Sequence, residues 1–456
     1  MQNTPEAGGI VAGVGRSPAR GRAGPAAWGS DVIAGTLRDL GIRYLMITPG
    51  ASLRGLHDSV VNYLGDEAPQ LVLCLHEEHA VALAHGYAKV AGEPTAVALH
   101  SNVGLMHAAM AIYNAYCDRA PVVLIGATGP VDAAKRRPWI DWIHTSADQA
   151  MLTRPYVKWD DQPASVAASV SALLRANQIA RTAPQGPVYV CLDAGIQEQP
   201  YTEASEPPAD LRRFGPFPDP WPGGADLARA VELLRSATPV IMLAGRVSRD
   251  EQAWQERVDL AERLGARVLT DLKAGAAFPT SHRQHGGPPG NVLCAGDRAL
   301  LRAAGLILSL DWADLGGTLS DVFGGQPIPP VISCSLEHHH YRGWTKDDYS
   351  IAPSDVVLAC RPDEAVRSLL GRLAGTAACP GAGPSPAAPD PPPALGPGGC
   401  DGAISIPFLA QELRAVIGDR PCCLVRVPFG WDPRRLSMAM RKSPCVARWR
   451  SPVVAR

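Results

Sequence analysis

Between positions 30 and 200, two kinds of hydrophobic stretch alternate. Short runs at 44–47, 71–75, 95–99, 122–126 and 188–192 are nearly all apolar, as expected of strands buried on both faces of a parallel sheet. Between them, 78–90, 105–116 and 165–181 carry apolar residues at helical spacing. Ahead of the first run, Ser30 or Asp31 can cap a helix with Ile33, Leu37 and Leu40 on its inner face, and Gly41 can end it. This alternation predicts a doubly wound, parallel-sheet α/β domain over 29–200. After a Pro-rich connector at 201–224, strands are predicted at 239–244, 266–270, 305–310, 331–333 and 355–359, giving a middle Rossmann-like α/β domain over 225–375. Residues 376–402 hold eight prolines between 380 and 397 and read as an extended linker. Beyond it lie one amphipathic helix (404–416), one strand (422–427) and a tail with no helix or strand period.

Composition narrows the class. With 456 residues the chain can bury two or three separate cores. Its 43 Lys+Arg against 44 Asp+Glu leave a net charge of −1, so there is no basic field to hold nucleic acid or an anionic membrane surface. No apolar run reaches the ~18–20 residues of a membrane span. The Gly/Ala/Pro/Arg-rich segment 1–28 lacks the apolar stretch of a secretory signal and reads as a disordered tail. Eleven scattered cysteines without a C-x-x-C pair fit reduced thiols of a cytoplasmic protein.

Chemistry concentrates at 71–92. A buried strand delivers His76-Glu77-Glu78-His79 to its carboxyl end, directly before a helix of small residues. Ligands of open α/β sheets sit outside the carboxyl ends of strands, so a carboxylate here is placed to share a proton with a ring nitrogen. The bland alternative is that Glu77 and Glu78 complement a helix N-terminus. Elsewhere, His338-His339-His340 with Glu337 has the composition of a metal site, but consecutive residues of an extended segment point to opposite faces, so no metal ligand is assigned there. Arg136-Arg137 with Trp139 and Trp142 reads as a subunit contact or substrate-access element.

The spacing of Glu77, Ala80, Ala84, Gly86, Tyr87 and Ala88 resembles the signature of thiamine-diphosphate enzymes of the acetolactate synthase/benzoylformate decarboxylase family. So do Thr48-Pro49-Gly50-Ala51-Ser52 before it, and Leu99-His100-Ser101, Gly104, Asn114–Tyr116, Ala120-Pro121-Val122, Arg154-Pro155 and Lys158-Trp159 after it. The resemblance implies that Glu77 bonds N1′ of the cofactor aminopyrimidine. The ring, in its imino form, then takes the proton from thiazolium C2, and the resulting ylide attacks a 2-oxo acid. It implies that Thr48, Pro49 and Gly50 lie against the pyrimidine with Gly104 beside them. His100, 23 residues after the Glu, takes the place of an active-site histidine that can shuttle protons. Ser52 and Ser101 become candidates for the substrate carboxylate. Acetolactate synthases carry a different tripeptide at Leu-His-Ser, which pulls the reading toward the decarboxylase side. Some relatives bind FAD on the middle domain, but no G-x-G-x-x-G fingerprint supports it here.

The family also needs a domain holding the diphosphate through Mg2+, marked by Gly-Asp-Gly and a later Asn. No Gly-Asp-Gly occurs, and the last Asn is Asn291. Residues 403–456 are therefore expected to be a truncated remnant of that domain, ending in the kind of tail that a shifted reading frame gives in GC-rich DNA. The resemblance implies a homodimer or homotetramer whose sites lie between subunits, with little turnover by this chain alone. The alternative is a non-catalytic homologue or partner subunit that pairs with a complete relative.

Overall fold

The first series of apolar runs becomes neighbouring parallel strands in a computed structural model that describes residues 24–202, 211–271, 274–280, 282–287, 292–337, 342–343, 351–374 and 404–418. The expected linker at 376–402, the His338-His339-His340 triplet, the strand at 422–427, the tail that follows it and most of the 1–28 segment lie outside the described residues. Two units divide at 218/219.

In the first unit, β1 (Tyr44–Ile47), β2 (Gln70–Leu73), β3 (Thr95–Leu99), β4 (Val122–Thr128), β5 (Asp160–Asp161) and β6 (Val188–Asp193) form one sheet. Its order is β2-β1-β3-β4-β6-β5, and every pairing is parallel. The helices are α1 (Gly29–Asp39), α2 (Arg54–Asp58), α3 (Glu77–Ala91), α4 (Ser101–Cys117), α5 (Ile140–His144), α6 (Val166–Arg181) and α7 (Ala194–Gln197). Side chains alternate across a strand, so one set (Leu45, Ile47, Ala96, Ala98, Ile125) packs with Ile33 and Leu37 of α1 and Leu173 of α6. The other set (Met46, Val97, Leu99, Leu124) packs with Ala80, Ala84 and Ala88 of α3 and Ala108 and Ile112 of α4. Two covered faces explain the all-apolar strands. β2 departs from that pattern: it is an edge strand, and Leu73 and Leu75 beyond it are exposed.

Local details differ from the sequence reading at two helix starts. Trp28, not Ser30 or Asp31, precedes α1. Asp31 sits inside the first turn, where its carboxylate accepts from the Ala27 and Trp28 amides (2.9 and 3.0 Å) and from the Ser59 hydroxyl. The acid reaches back to the helix entrance instead of standing at it. α4 begins at Ser101, four residues before the expected 105, which makes His100 the residue that enters the helix.

In the second unit, β7 (Val240–Ala244), β8 (Arg267–Thr270), β9 (Leu306–Leu310), β10 (Val331–Cys334) and β11 (Val356–Leu358) are parallel in the order β11-β10-β9-β7-β8. They lie among α8 (Gly224–Ser236), α9 (Glu251–Leu264), α10 (Ala295–Arg302), α11 (Leu315–Phe323) and α12 (Pro362–Leu373). α13 (Ile406–Ile417) forms where a helix was expected, capped by the Ser405 hydroxyl. In both sheets the second strand lies outside the first and the third lies on its other side. Each therefore has a switch point, between β1 and β3 and between β7 and β9. Among the described residues, no helix is long and apolar enough to cross a membrane.

Candidate functional site

Three adjacent strands end at the switch point of the first sheet, and the chemistry-bearing residues leave from those ends. Thr48-Pro49-Gly50 follows β1, His76-Glu77 follows β2, and His100-Ser101 follows β3. Parallel strands put all these ends on one edge, so residues separated by up to 53 positions meet there.

Glu77 opens α3 and is 7% exposed, whereas Glu78 beside it is exposed. Turn geometry separates the two: His76 occupies the position before the helix and its Nδ1 accepts from the Glu78 amide at 3.1 Å. Glu77 is thereby turned inward and Glu78 outward. The two Glu77 oxygens have different surroundings. Oε2 lies 3.2 Å from Nδ1 of His107 on α4. Oε1 faces Gly104, 3.1 Å from where a β-carbon would sit on that residue. A side chain at 104 would crowd the carboxylate, so the glycine keeps the space beside it open.

His100 is half-buried, and its Nδ1 lies 2.8 Å from the Ser52 hydroxyl. A β-carbon on Gly50 would lie 2.2 Å from Cγ of this imidazole, so the ring rests directly on the Gly50 backbone. Burial holds the His100 pKa below the ordinary histidine value, and the neighbouring His144, with ring centroids 5.0 Å apart, adds to this; Glu77 opposes them. The ring is therefore neutral at neutral pH, with Nδ1 engaged by Ser52. Ser52 is buried, and Gln197 of α7 fixes its loop by donating to the Ser52 carbonyl (3.0 Å) and accepting from the Leu56 amide (3.2 Å). Ser101 has no exposed surface and a positive φ of 41°. Non-glycine residues adopt that region at a cost, and it occurs here where the chain turns from β3 into α4. The Thr48 hydroxyl is shielded from solvent and has no hydrogen-bond partner.

The structure thus brings Glu77, Gly104, Gly50, His100 and Ser52 together and places Thr48 and Pro49 at the end of the neighbouring strand. It also adds His107 and His144, which the sequence reading did not single out. His107 had a usable signal: it lies seven residues after His100, two turns along the same helix face. That spacing is meaningful only once the helix is known to start at 101. His144 comes from α5, after a loop with no periodicity to place it. Nearby, Arg137 pairs with the buried Asp141 of α5 at 2.8 Å, while Trp139 and Trp142 are exposed. His76, Glu77 and His107 have donor atoms within 4.8 Å of one another, the only such metal-capable group found among the described residues.

At the second unit's switch point, Arg246 spans Asp311 and Glu337, at 3.2 Å from each. Gly245 approaches the Asp311 carbonyl so closely that a β-carbon would lie 2.2 Å from it.

Comparison with known proteins identifies the family. Residues 27–152 match the profile of the thiamine pyrophosphate enzyme N-terminal TPP binding domain, and 227–329 that of the same family's central domain. The acetolactate synthase large subunit of Lactococcus lactis is 27% identical over 320 residues, covering 68% of this chain and 51% of that protein. Benzoylformate decarboxylase of Pseudomonas aeruginosa is 29% identical over 303 residues, covering 66% and 51%. The chain thus spans about half the length of these curated relatives. Benzoylformate decarboxylase from Polynucleobacter necessarius shares the fold with a TM-score of 0.69 at 18% identity, covering 88% of this chain and 69% of that one. A 4-hydroxybenzoylformate decarboxylase from Rhodococcus jostii does so with 0.65 at 20%, covering 85% and 69%. Two domain profiles of one family, together matching about half of the chain, and these relatives show that this chain belongs to the thiamine pyrophosphate enzyme family, with acetolactate synthases and benzoylformate decarboxylases among its relatives.

Proposed function

We propose that this chain supplies the cofactor-activating half of a thiamine-diphosphate-dependent 2-oxo acid decarboxylase or carboligase. The observation that carries this reading is Glu77, buried at the sheet edge with one oxygen held by His107 and the other facing the space beside Gly104. The residues fit an aminopyrimidine: Gly104 leaves room beside the carboxylate, and the unpartnered Thr48 hydroxyl is a polar atom awaiting a ligand.

When bound, thiamine diphosphate supplies the electron sink that lets a 2-oxo acid lose carbon dioxide. Glu77 holds a proton against the ring nitrogen N1′, in a site where burial strengthens that contact. Pro49 and Gly50 form the turn on which the ring lies. His100, kept neutral and held by Ser52, moves a proton to or from the reacting substrate through Nε2. Ser52 and Ser101 are the candidates for the substrate carboxylate, and both are buried here, one in the turn after β1 and the other at the start of α4.

The diphosphate and its Mg2+ are assigned to a diphosphate-binding domain, across a subunit interface in a cytoplasmic homodimer or homotetramer. The half-exposed Leu83 of α3 and Met106 and Met110 of α4 offer an apolar face for that second copy. FAD is not assigned, because Arg246 occupies the second switch point with its own acidic partners. A second reading is a non-catalytic subunit that pairs with a complete relative, since the chain spans about half the length of the curated relatives it matches. Little turnover by the chain alone is expected.

The test is hydrogen–deuterium exchange at C2 of thiamine diphosphate, followed by NMR, with the chain alone and with a complete relative added. Glu77→Gln is expected to slow the protein-dependent exchange by about 10²–10⁴-fold, the usual scale of acid–base assistance. Equal exchange by the wild-type chain and Glu77→Gln sinks the proposal.

A further inference from the structure

We propose that His76, Glu77 and His107 form a binding site for a divalent transition-metal ion such as Zn2+, and that the bound ion excludes the cofactor ring. The first half stands on the geometry alone; the second rests on the role of Glu77 proposed above.

Two imidazoles and a carboxylate are a common ligand set for Zn2+, which takes three protein donors and leaves a fourth position for water. Here the donors of all three side chains already lie within 4.8 Å of one another. Glu77 Oε2 and His107 Nδ1 are 3.2 Å apart. Two ligands at about 2.0–2.2 Å from a tetrahedral ion are themselves about 3.3–3.5 Å apart, so this pair needs almost no adjustment. Glu77 comes from the buried start of α3 and is fixed, whereas the His107 side chain is 51% exposed and can turn toward an ion.

His76 needs the larger movement. Its ring stacks on that of His107, with centroids 5.1 Å apart and an interplanar angle of 21°, so their nitrogens run side by side instead of converging. Its Nδ1 is also engaged by the Glu78 amide. Turning the ring frees Nδ1 for the ion and releases that amide, but Glu78 is exposed and water can satisfy it. The cost is one exposed hydrogen bond, small beside a metal–imidazole bond. With two neutral imidazoles and one carboxylate, the site balances half the charge of a divalent ion and suits borderline-soft metals better than Mg2+ or Ca2+.

The ion takes Oε2 and leaves Oε1 facing the space beside Gly104, but it draws off the charge of the carboxylate with which Glu77 would hold the ring nitrogen, so the two occupants compete. The metal would act as an inhibitor of cofactor loading, distinct from the Mg2+ that the family holds on the diphosphate.

The test uses the full chain with His338, His339 and His340 each replaced by alanine, so that the triplet cannot report false binding. Zn2+ is titrated calorimetrically without cofactor, and Co2+ serves as a probe through its visible ligand-field spectrum. One ion per chain is expected, with a spectrum of low coordination number. Glu77→Gln and His107→Ala should each weaken binding more than about tenfold, because even groups that merely orient metal ligands are worth about 10–100-fold. His79→Ala, outside the trio, should leave it unchanged. His107→Ala keeps the test decisive if a glutamine at 77 disturbs the fold, since that ring is half exposed. Absence of binding, or binding undiminished by His107→Ala, overturns the site. Adding Zn2+ should raise the apparent Kd of thiamine diphosphate, and His107→Ala should relieve that competition. If Zn2+ binds at the trio without competing, the metal site stands and the exclusion of the cofactor ring falls, while the C2-exchange test still decides the cofactor role of Glu77. If the cofactor binds through Glu77 and Zn2+ does not bind, the metal site falls and the cofactor role stands.

Discussion

Gly50→Ala isolates the contact that joins the ends of β1 and β3. Gly50 has φ −160°, an extended conformation that any residue adopts, so the backbone itself has no need of glycine. The need comes from His100: an added β-carbon would lie 2.2 Å from its Cγ, 2.4 Å from Nδ1 and 2.6 Å from Cβ. Such overlaps force the imidazole away and break its 2.8 Å contact with Ser52. Overpacking of this kind costs about 1–3 kcal/mol. For a unit of roughly 150–250 residues, each kcal/mol lowers Tm by about 2–4 °C, so the expected drop is about 2–12 °C. Differential scanning calorimetry of the full chain gives the unit's transition, and NMR titration of His100 reports its environment. The imidazole should lose part of its burial and titrate closer to the ordinary histidine value. Repeating Gly50→Ala in His100→Ala and His100→Gly backgrounds completes the argument. The penalty should shrink in the first, where Cβ still interferes, and vanish in the second. An equal penalty in all three backgrounds would refute the claim that the glycine serves the histidine.

Two predictions concern the second unit. Arg257 is fully buried on α9, where its guanidinium bonds Asp363 (2.7 Å), the Ala277 carbonyl (2.9 Å) and the Ser248 carbonyl (2.9 Å). Arg257→Ala leaves those acceptors unpaired and should destabilise the unit by about 3–5 kcal/mol in urea titration; a loss below 1 kcal/mol would show that water replaces the guanidinium. His285, stacked on Phe278 and bonded through Nε2 to the Thr270 hydroxyl at 2.9 Å, has its pKa lowered by burial to about 4 from the ordinary 6.5. Between those values the unfolded chain binds the proton and the folded one does not. Stability is therefore full above pH 6.5 and falls by about 3 kcal/mol as the pH drops to 4. The pH dependence of unfolding should flatten in His285→Gln, and an unchanged slope would rule out this histidine as its source.

Sequence periodicity determined the strands and their parallel class, because a strand covered on both faces is nearly all apolar, and 44–47, 95–99, 122–126 and 188–192 are. It also located Glu77 at a strand's carboxyl end, although choosing it over Glu78 needed the family spacing as well. Tertiary structure decided what periodicity cannot encode. Strand order placed the ends of β1, β2 and β3 side by side, because pairing joins segments far apart in the chain. The turn through His76 sent Glu77 inward and Glu78 outward, and the helix start at Ser101 turned His107 toward Glu77. Such pairings depend on where each backbone points once the sheet has closed. A single chain position carries no record of that.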